Sequence, residues 1–156
     1  MDGNFIIREF RNQDHDQIVS LIISILEAEF PQTLNNFSQE DIDNIKSGYE
    51  GERENFFVIE NNNSIIGTVG IKEDDKKTAL MRRLFINPDY RGKGFGKKLI
   101  EKVINFCKDN KYNKIRFRGN LIMKNARSML NSIGFKEDKS NDLSILNLYE
   151  LIYSIK

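Results

Sequence analysis

A mixed α/β domain is what this 156-residue sequence predicts, and three observations carry the expectation. Three largely apolar runs between residues 55 and 86 are separated only by short turns rich in Asn or Asp, the pattern of successive antiparallel strands. Two longer stretches, beginning near His15 and Phe95, instead repeat apolar residues at helical spacing. Between the last of those strands and the second long helix lies Arg91-Gly92-Lys93-Gly94-Phe95-Gly96, a strand-to-helix junction dense in glycine. At this length the simplest organisation is one domain spanning residues 1–156 around one sizeable core.

Each element follows from its residues. Asn4 to Phe10 alternates as a strand, and Asn12 to Asp14 supplies turn and cap residues for a helix from about His15. In that helix Ile18, Leu21, Ile22, Ile25 and Leu26 share one face, with Val19 and Ile23 on its flank. Such a broad apolar surface expects cover from the sheet and from a second contact, so the chain is read as a monomer or a homodimer. Phe30-Pro31 should end the helix, and Ser38-Gln39-Glu40-Asp41 should open a short second one through a serine cap and first-turn acids. Asn55 to Glu60 and Ser64 to Glu73 form a hairpin around Asn61-Asn62-Asn63, since asparagine tolerates the left-handed backbone of tight turns. A turn at Asp74 to Lys77 leads into the strand Thr78 to Ile86.

The third helix, about Phe95 to Lys108, aligns Leu99, Ile100, Val103, Ile104 and Cys107 on one face, which makes the cysteine a small buried hydrophobe. Lys114 to Arg118 is the next strand, entered in parallel through that crossover helix. A fourth helix from about Lys124 to Ile133 stops at Gly134, and two strands follow near Lys136 to Ser140 and Ile145 to Tyr153.

Composition excludes several functions. Lys and Arg number 24 against 23 Asp and Glu, so a net charge of +1 offers nucleic acid or a membrane surface no general attraction. One cysteine allows neither an internal disulfide nor a thiolate metal cluster, so no metal is expected. The N-terminus lacks a basic segment followed by an apolar signal core, which points to the cytoplasm. The longest nearly apolar run, Ile18 to Leu26, is far shorter than the roughly 20 residues that span a bilayer. The distribution of charge is less even than its sum. Residues 27 to 54 carry eight acids and two bases, whereas residues 72 to 139 carry nineteen bases and eight acids. His15, the single histidine, sits between Asp14 and Asp16 at a helix start and reads as a solvated side chain.

The glycine-rich junction makes an anion site. Glycines let the backbone turn and approach a ligand, and the first turn of the next helix leaves N–H groups without partners that phosphate oxygens can fill. Spacing excludes two common phosphate loops. A Walker loop counted from Gly92 needs Gly-Lys-Ser/Thr where Lys97, Lys98 and Leu99 stand, and the dinucleotide fingerprint lacks its third glycine, finding Leu99 or Lys97.

What remains, Arg-x-x-Gly-x-Gly between strand and helix, resembles the acetyl-CoA loop of the GNAT superfamily of N-acetyltransferases. The likeness extends through Leu84-Phe85-Ile86-Asn87-Pro88-Asp89-Tyr90-Arg91 and resumes at Ala126 and Ile133-Gly134-Phe135. It implies a mixed, mostly antiparallel sheet of about seven strands flanked by about four helices, in the order β-α-α-β-β-β-α-β-α-β-β from Phe5 to Tyr153. It also implies transfer of an acetyl group from acetyl-CoA, as co-substrate, to a primary amine of a small molecule or peptide. By position, the main chain of Leu84, Phe85 and Ile86 would pair with the pantetheine arm. Arg91, Gly92, Lys93, Gly94, Phe95, Gly96 and Lys97 would hold the phosphates, with Asn125 nearby and Lys98 adding charge. The acidic segment 27–54 falls where relatives build the acceptor lip, so a cationic amine is expected.

Direct attack on a thioester needs a base, an oxyanion donor and help for the departing thiolate. The glutamate relatives commonly place before the loop aligns with Leu80, the tyrosine of the fourth helix with Leu130, and an asparagine with Met123, close to Asn120 and Asn125. Candidate bases are therefore Glu27, Glu29, Glu60 or Glu73, or a water relayed by one of them, and candidate acids are Tyr149 and Tyr153 or water. The missing side chains equally support a second class of function, a module that binds and senses acyl-CoA without turning it over.

Overall fold

The computed structural model describes residues 4–35, 40–120, 124–140, 143–146 and 148–156. A single seven-stranded sheet organises them. The strands are β1 (Phe5–Glu9), β2 (Asn55–Asn61), β3 (Ser64–Glu73), β4 (Thr78–Ile86), β5 (Lys114–Asn120), β6 (Lys136–Glu137) and β7 (Leu148–Ser154). Their spatial order is β1-β2-β3-β4-β5-β7-β6, and every pairing is antiparallel except β4 with β5. The last hairpin therefore inserts β7 between β5 and the two-residue β6, which is shorter than the strand expected at Lys136 to Ser140.

The helices match the expected long pair and divide the rest. α1 (His15–Glu29) packs Ile18, Leu21, Ile22, Ile25 and Leu26 on Phe56, Val58 and Ile65 of the sheet, while α5 (Phe95–Asp109) and α6 (Lys124–Ile133) cover the opposite face. Pro31 ends α1 as expected but also begins α2 (Pro31–Asn35), because a first-turn proline forgoes only an N–H that would lack a helical partner. The single short second helix becomes α2, α3 (Glu40–Asp43) and α4 (Ile45–Gly48); its expected serine cap, Ser38, lies outside the described residues. Between β2 and β3, Asn62 and Asn63 take φ of 50° and 68°, the left-handed pair that a two-residue hairpin demands. Cys107 is fully buried in the α5 core, and burial pushes its thiol up to about 12.

One polar group ties the edge of the sheet to the start of α1. Arg8 on β1 reaches both oxygens of Asp14 at 2.7 and 2.8 Å and Glu60 of β2 at 2.7 Å, and the backbone N–H of Arg11 donates to Asp14 at 2.8 Å. Burial raises the affinity of Asp14 for a proton, but the Arg8 and Arg11 hydrogen bonds outweigh it and hold the carboxyl below its ordinary range. A folded value below the unfolded one, near 3.9, adds stability that is present above about pH 4 and lost as pH falls through the folded value. Urea unfolding across pH 2–7 should therefore show a shallower acid limb for Asp14→Asn than for the parent. Asp14→Ala should cost about 1–3 kcal/mol at neutral pH, since it removes two of the charged hydrogen bonds of Arg8 and leaves that guanidinium with Glu60 as its carboxylate partner.

Candidate functional site

The three glycines of the junction have three different surroundings. Gly92 and Gly94 take φ of 74° and 87°, and Gly94 caps α5 in the left-handed conformation. Nothing lies within 4 Å of where a side chain on Gly92 would start, so its requirement comes from the backbone. Gly96 is helical and buried, and a Cβ there would sit 2.6 Å from Sδ of Met129 on α6. Its lack of a side chain brings α5 against α6, which differs from the turn-making role the sequence suggests. Phe95 turns into the core against Phe5 and Tyr90, and the first turn of α5, whose opening N–H groups lack helical partners, stands beside exposed Lys93, Lys97 and Lys98.

Arg91, expected to face phosphates, is engaged on the protein. Its Nη1 and Nη2 donate to the two carboxylate oxygens of Glu29 at 2.6 and 2.9 Å, and its Nε donates to the Ile86 carbonyl at 3.0 Å. The guanidinium thus ties the end of β4 and the loop to the last turn of α1. Of the three main-chain positions expected to meet a ligand, Ile86 is committed on two sides, to Arg91 and to Gly67 of β3. Phe85 faces the α1 core, while Leu84 and Ile86 face the α5 core.

Beside the loop the sheet opens. β4 and β5 pair in parallel from Thr78↔Lys114 to Met81↔Phe117 and no further, although both strands continue. On the β3 side a bulge sets Arg83 and Leu84 against Val69, with Arg83 at φ 55° and its carbonyl capped by the buried Thr68 hydroxyl at 2.8 Å. On the other side β5 past Phe117 pairs with β7 alone. The result is a fork between Arg82–Ile86 and Arg118–Asn120, one side of which runs directly into the glycine junction.

Two of the four candidate bases lie away from this fork. Glu60 binds Arg8 two strands away, and Glu73 binds Arg53 at 2.6 Å beside the opposite end of β4. Glu29 faces Arg91; among the described residues Glu27 is the one of the four without an ion pair. The acidic segment likewise does not gather at one lip. Arg53 donates to the carbonyls of Asn110 and Lys76, and Glu54 accepts from the N–H of Glu73, placing residues 53 and 54 at the far end of the sheet. His15 contacts Asp16 and the Asp43 carbonyl in a surface hollow of about 390 Å³, also remote from the junction. A larger hollow of about 790 Å³ lies between the end of α5 and the end of β7, again away from the loop.

Residues 20–135, well over half of the chain, match the model of the acetyltransferase (GNAT) family. The chain belongs to that family. Rat N-acetyltransferase 8 is 29% identical over 112 residues, which are 68% of this chain and 50% of that protein. The probable N-acetyltransferase camello of Xenopus tropicalis is 28% identical over 117 residues, 73% of this chain and 53% of that one. The chain spans about half the length of these curated relatives. Among solved structures, a GNAT-family acetyltransferase of Staphylococcus aureus Mu50 superposes with a TM-score of 0.85 at 25% identity, over 98% of this chain and 100% of that one. The PaiA N-acetyltransferase of Thermoplasma acidophilum, solved with coenzyme A, shares the fold with a TM-score of 0.77 at 16% identity, over 97% and 99%.

In this GNAT chain Leu80 lies in the paired part of β4, opposite Arg116, and Leu130 is fully buried among the α5 core residues. Met123 lies outside the described residues, and Asn125 is an exposed residue on the first turn of α6. Tyr153 stacks on Phe135 at 5.2 Å near the end of β7, away from the fork. Tyr149 lies elsewhere: it pairs with Gly119 of β5, and its ring leans over that glycine so closely that a Cβ there would fall inside the hydroxyl end. The pairing of a tyrosine with a glycine across two non-adjacent segments has no local sequence signal.

The two kinds of glycine separate experimentally. Gly96→Ala should cost about 1–3 kcal/mol in urea unfolding, most of it recovered by adding Met129→Ala, which makes room between the helices. Gly94→Ala should lose about 1–2 kcal/mol to backbone strain that Met129→Ala leaves untouched.

Proposed function

We propose that this protein is an N-acetyltransferase that moves an acetyl group from acetyl-CoA to a primary amine by direct attack within a complex holding both. The observation that carries the reading is the fork itself: a parallel strand pair that parts beside a glycine-capped helix start. Acetyl-CoA supplies a thioester whose acyl carbon accepts a nucleophile and whose thiolate leaves. The remaining chemistry falls to residues of this chain. Main-chain groups of Leu84, in the bulge along the open edge of β4, offer pairing to an amide-bearing arm laid in the fork, as a missing strand would; Phe85 pairs with Thr68 of β3 as Ile86 does with Gly67. The first-turn N–H groups of α5, with Lys93 and Lys97, suit the pyrophosphate. Arg91 keeps the loop in shape through Glu29 and Ile86, and its charge reaches a phosphate only when it releases Glu29.

Tyr149 is the acid in this reading. Its hydroxyl end lies over Gly119, which is past the last β4–β5 pair and therefore borders the opening from the α5 side. Burial pushes its hydroxyl up to about 12, so it stays protonated through neutral and mildly alkaline pH and serves as a hydrogen-bond donor to a departing thiolate. Leu130 then has no proton to supply and simply fills the core. For the base, Glu27 through water is the reading that needs no ion pair to break.

The acidic segment that favours a cationic acceptor supplies fewer acids than its composition suggests, because Glu29 is neutralised and residues 53 and 54 lie at the other end of the sheet. A binding module without turnover remains the competing function, and a thiol-release assay against a broad panel of amines decides between them. Turnover with any amine excludes the passive module.

Two further outcomes are expected. By calorimetry, a folded Gly94→Val protein should lose acetyl-CoA binding by tenfold or more; equal affinity would refute the loop as the phosphate site. In steady-state assays Tyr149→Phe should lower kcat roughly 100-fold or more with KM for acetyl-CoA little changed, whereas Leu130→Ala should keep most of its kcat.

A further inference from the structure

We infer that the acceptor carries a carboxylate beside its amine, and that Arg118, on the β5 arm of the fork, receives it; the inference rests on the transferase reading above. Met81 and Phe117, the last paired residues of β4 and β5, both turn into the α5 core. Side chains alternate along a strand, so Arg82 and Arg118 point to the opposite face, at the crotch of the fork. Had the ladder run one residue further, these two cations would have stood directly opposite each other, an arrangement that costs stability in any sheet.

Arg118 is held rather than loose. Its Nη2 donates to Oε1 of Glu150 on β7 at 3.1 Å, and the Glu150 side chain is completely shielded from solvent. That carboxylate is shared, since Arg116 Nε lies 3.0 Å from the same oxygen without a hydrogen-bonding angle, and Arg116 also pairs with Asp74. Arg116 therefore has two anions near it, while Arg118 shares one. Nearly half of the Arg118 side chain, 47%, remains exposed at the fork, with its planar donors already oriented from behind. A guanidinium so presented matches a carboxylate in a two-point contact, a geometry a lone ammonium cannot use. An acceptor anchored there by its acid group presents a neighbouring amine toward the open edge of β4. Glu150 acts through Arg118 and is a positioning residue.

The test compares amines that differ only in this group. Thiol release from acetyl-CoA is measured with a set of free amino acids and with their C-terminal amides. For acceptors that turn over, kcat/KM should fall roughly ten- to hundred-fold on amidation, the size expected for losing charged hydrogen bonds. Arg118→Ala should raise KM for the acids by a similar factor, leave KM for acetyl-CoA unchanged and erase the difference between acid and amide; Arg118→Lys should restore part of it. Because Arg118→Ala leaves Glu150 with Arg116 alone, Arg118→Gln, which keeps a neutral donor for Glu150 but loses the charge, is the second variant, with the same expectation. Equal use of acid and amide by the parent, or an equal loss on both in the variants, overturns the inference. If no amine is acetylated, the transferase reading fails first. The carboxylate site is then decided by calorimetry on the CoA-saturated protein: preference for acid over amide that Arg118→Ala removes supports it, and absence of that preference overturns it.

Discussion

The parallel contact between β4 and β5 is only four residue pairs long, and its early end is the constraint on which the rest of the site depends. Three causes converge on it. The bulge at Arg83 and Leu84 twists β4 away while Thr68 satisfies the carbonyl it displaces. β5 stays anchored as it parts, because β7 pairs with its other edge from Lys114 as far as Asn120, while its β4-facing edge is left open past Phe117. A continued ladder would also have opposed Arg82 to Arg118. An open strand edge inside a sheet is ordinarily a liability; here it lies beside the glycine junction, where an extended ligand can complete the pairing.

Charge is used twice around this opening, in opposite senses. At the loop, Arg91 is spent on Glu29 and Ile86, so the arginine that reads in the motif as a phosphate ligand first braces the end of β4 against α1. At the crotch of the fork, a buried carboxylate braces Arg118 while leaving much of the guanidinium exposed. The first arrangement favours a fixed loop and the second an open cationic surface. Away from the site, Arg8, Asp14 and Glu60 form a closed group with no outlet, and Arg53 does the same for the far turns through Glu73 and two carbonyls.

Local periodicity made most of the elements legible. The helical spacing of Ile18 to Leu26 and of Leu99 to Cys107 placed both long helices, and Asn62-Asn63 announced the hairpin, because these signals depend on residues a few positions apart. The junction at Arg91 to Gly96 was legible for the same reason, and so was its place between strand and helix. What the chain could not announce locally is how distant segments share space. That Gly96 serves the approach of α6, that Glu29 neutralises Arg91 and that Glu60 and Glu73 are carried away from the fork are consequences of packing between elements 33 to 62 residues apart.

The sequence by itself thus determined the fold class, the order of the strands and of the two long helices, and the place of the glycine junction between strand and helix, all set by short-range backbone preferences and apolar spacing. Only the tertiary structure decided where the sheet opens and what faces the opening. Pairing of β7 with β5 lays Tyr149 over Gly119 and sets Glu150 behind Arg118, and both depend on register between strands nearly thirty residues apart. A shift of one residue in that register would send each of these side chains to the other face, which is why composition and motif alone could name the residues but not assemble them.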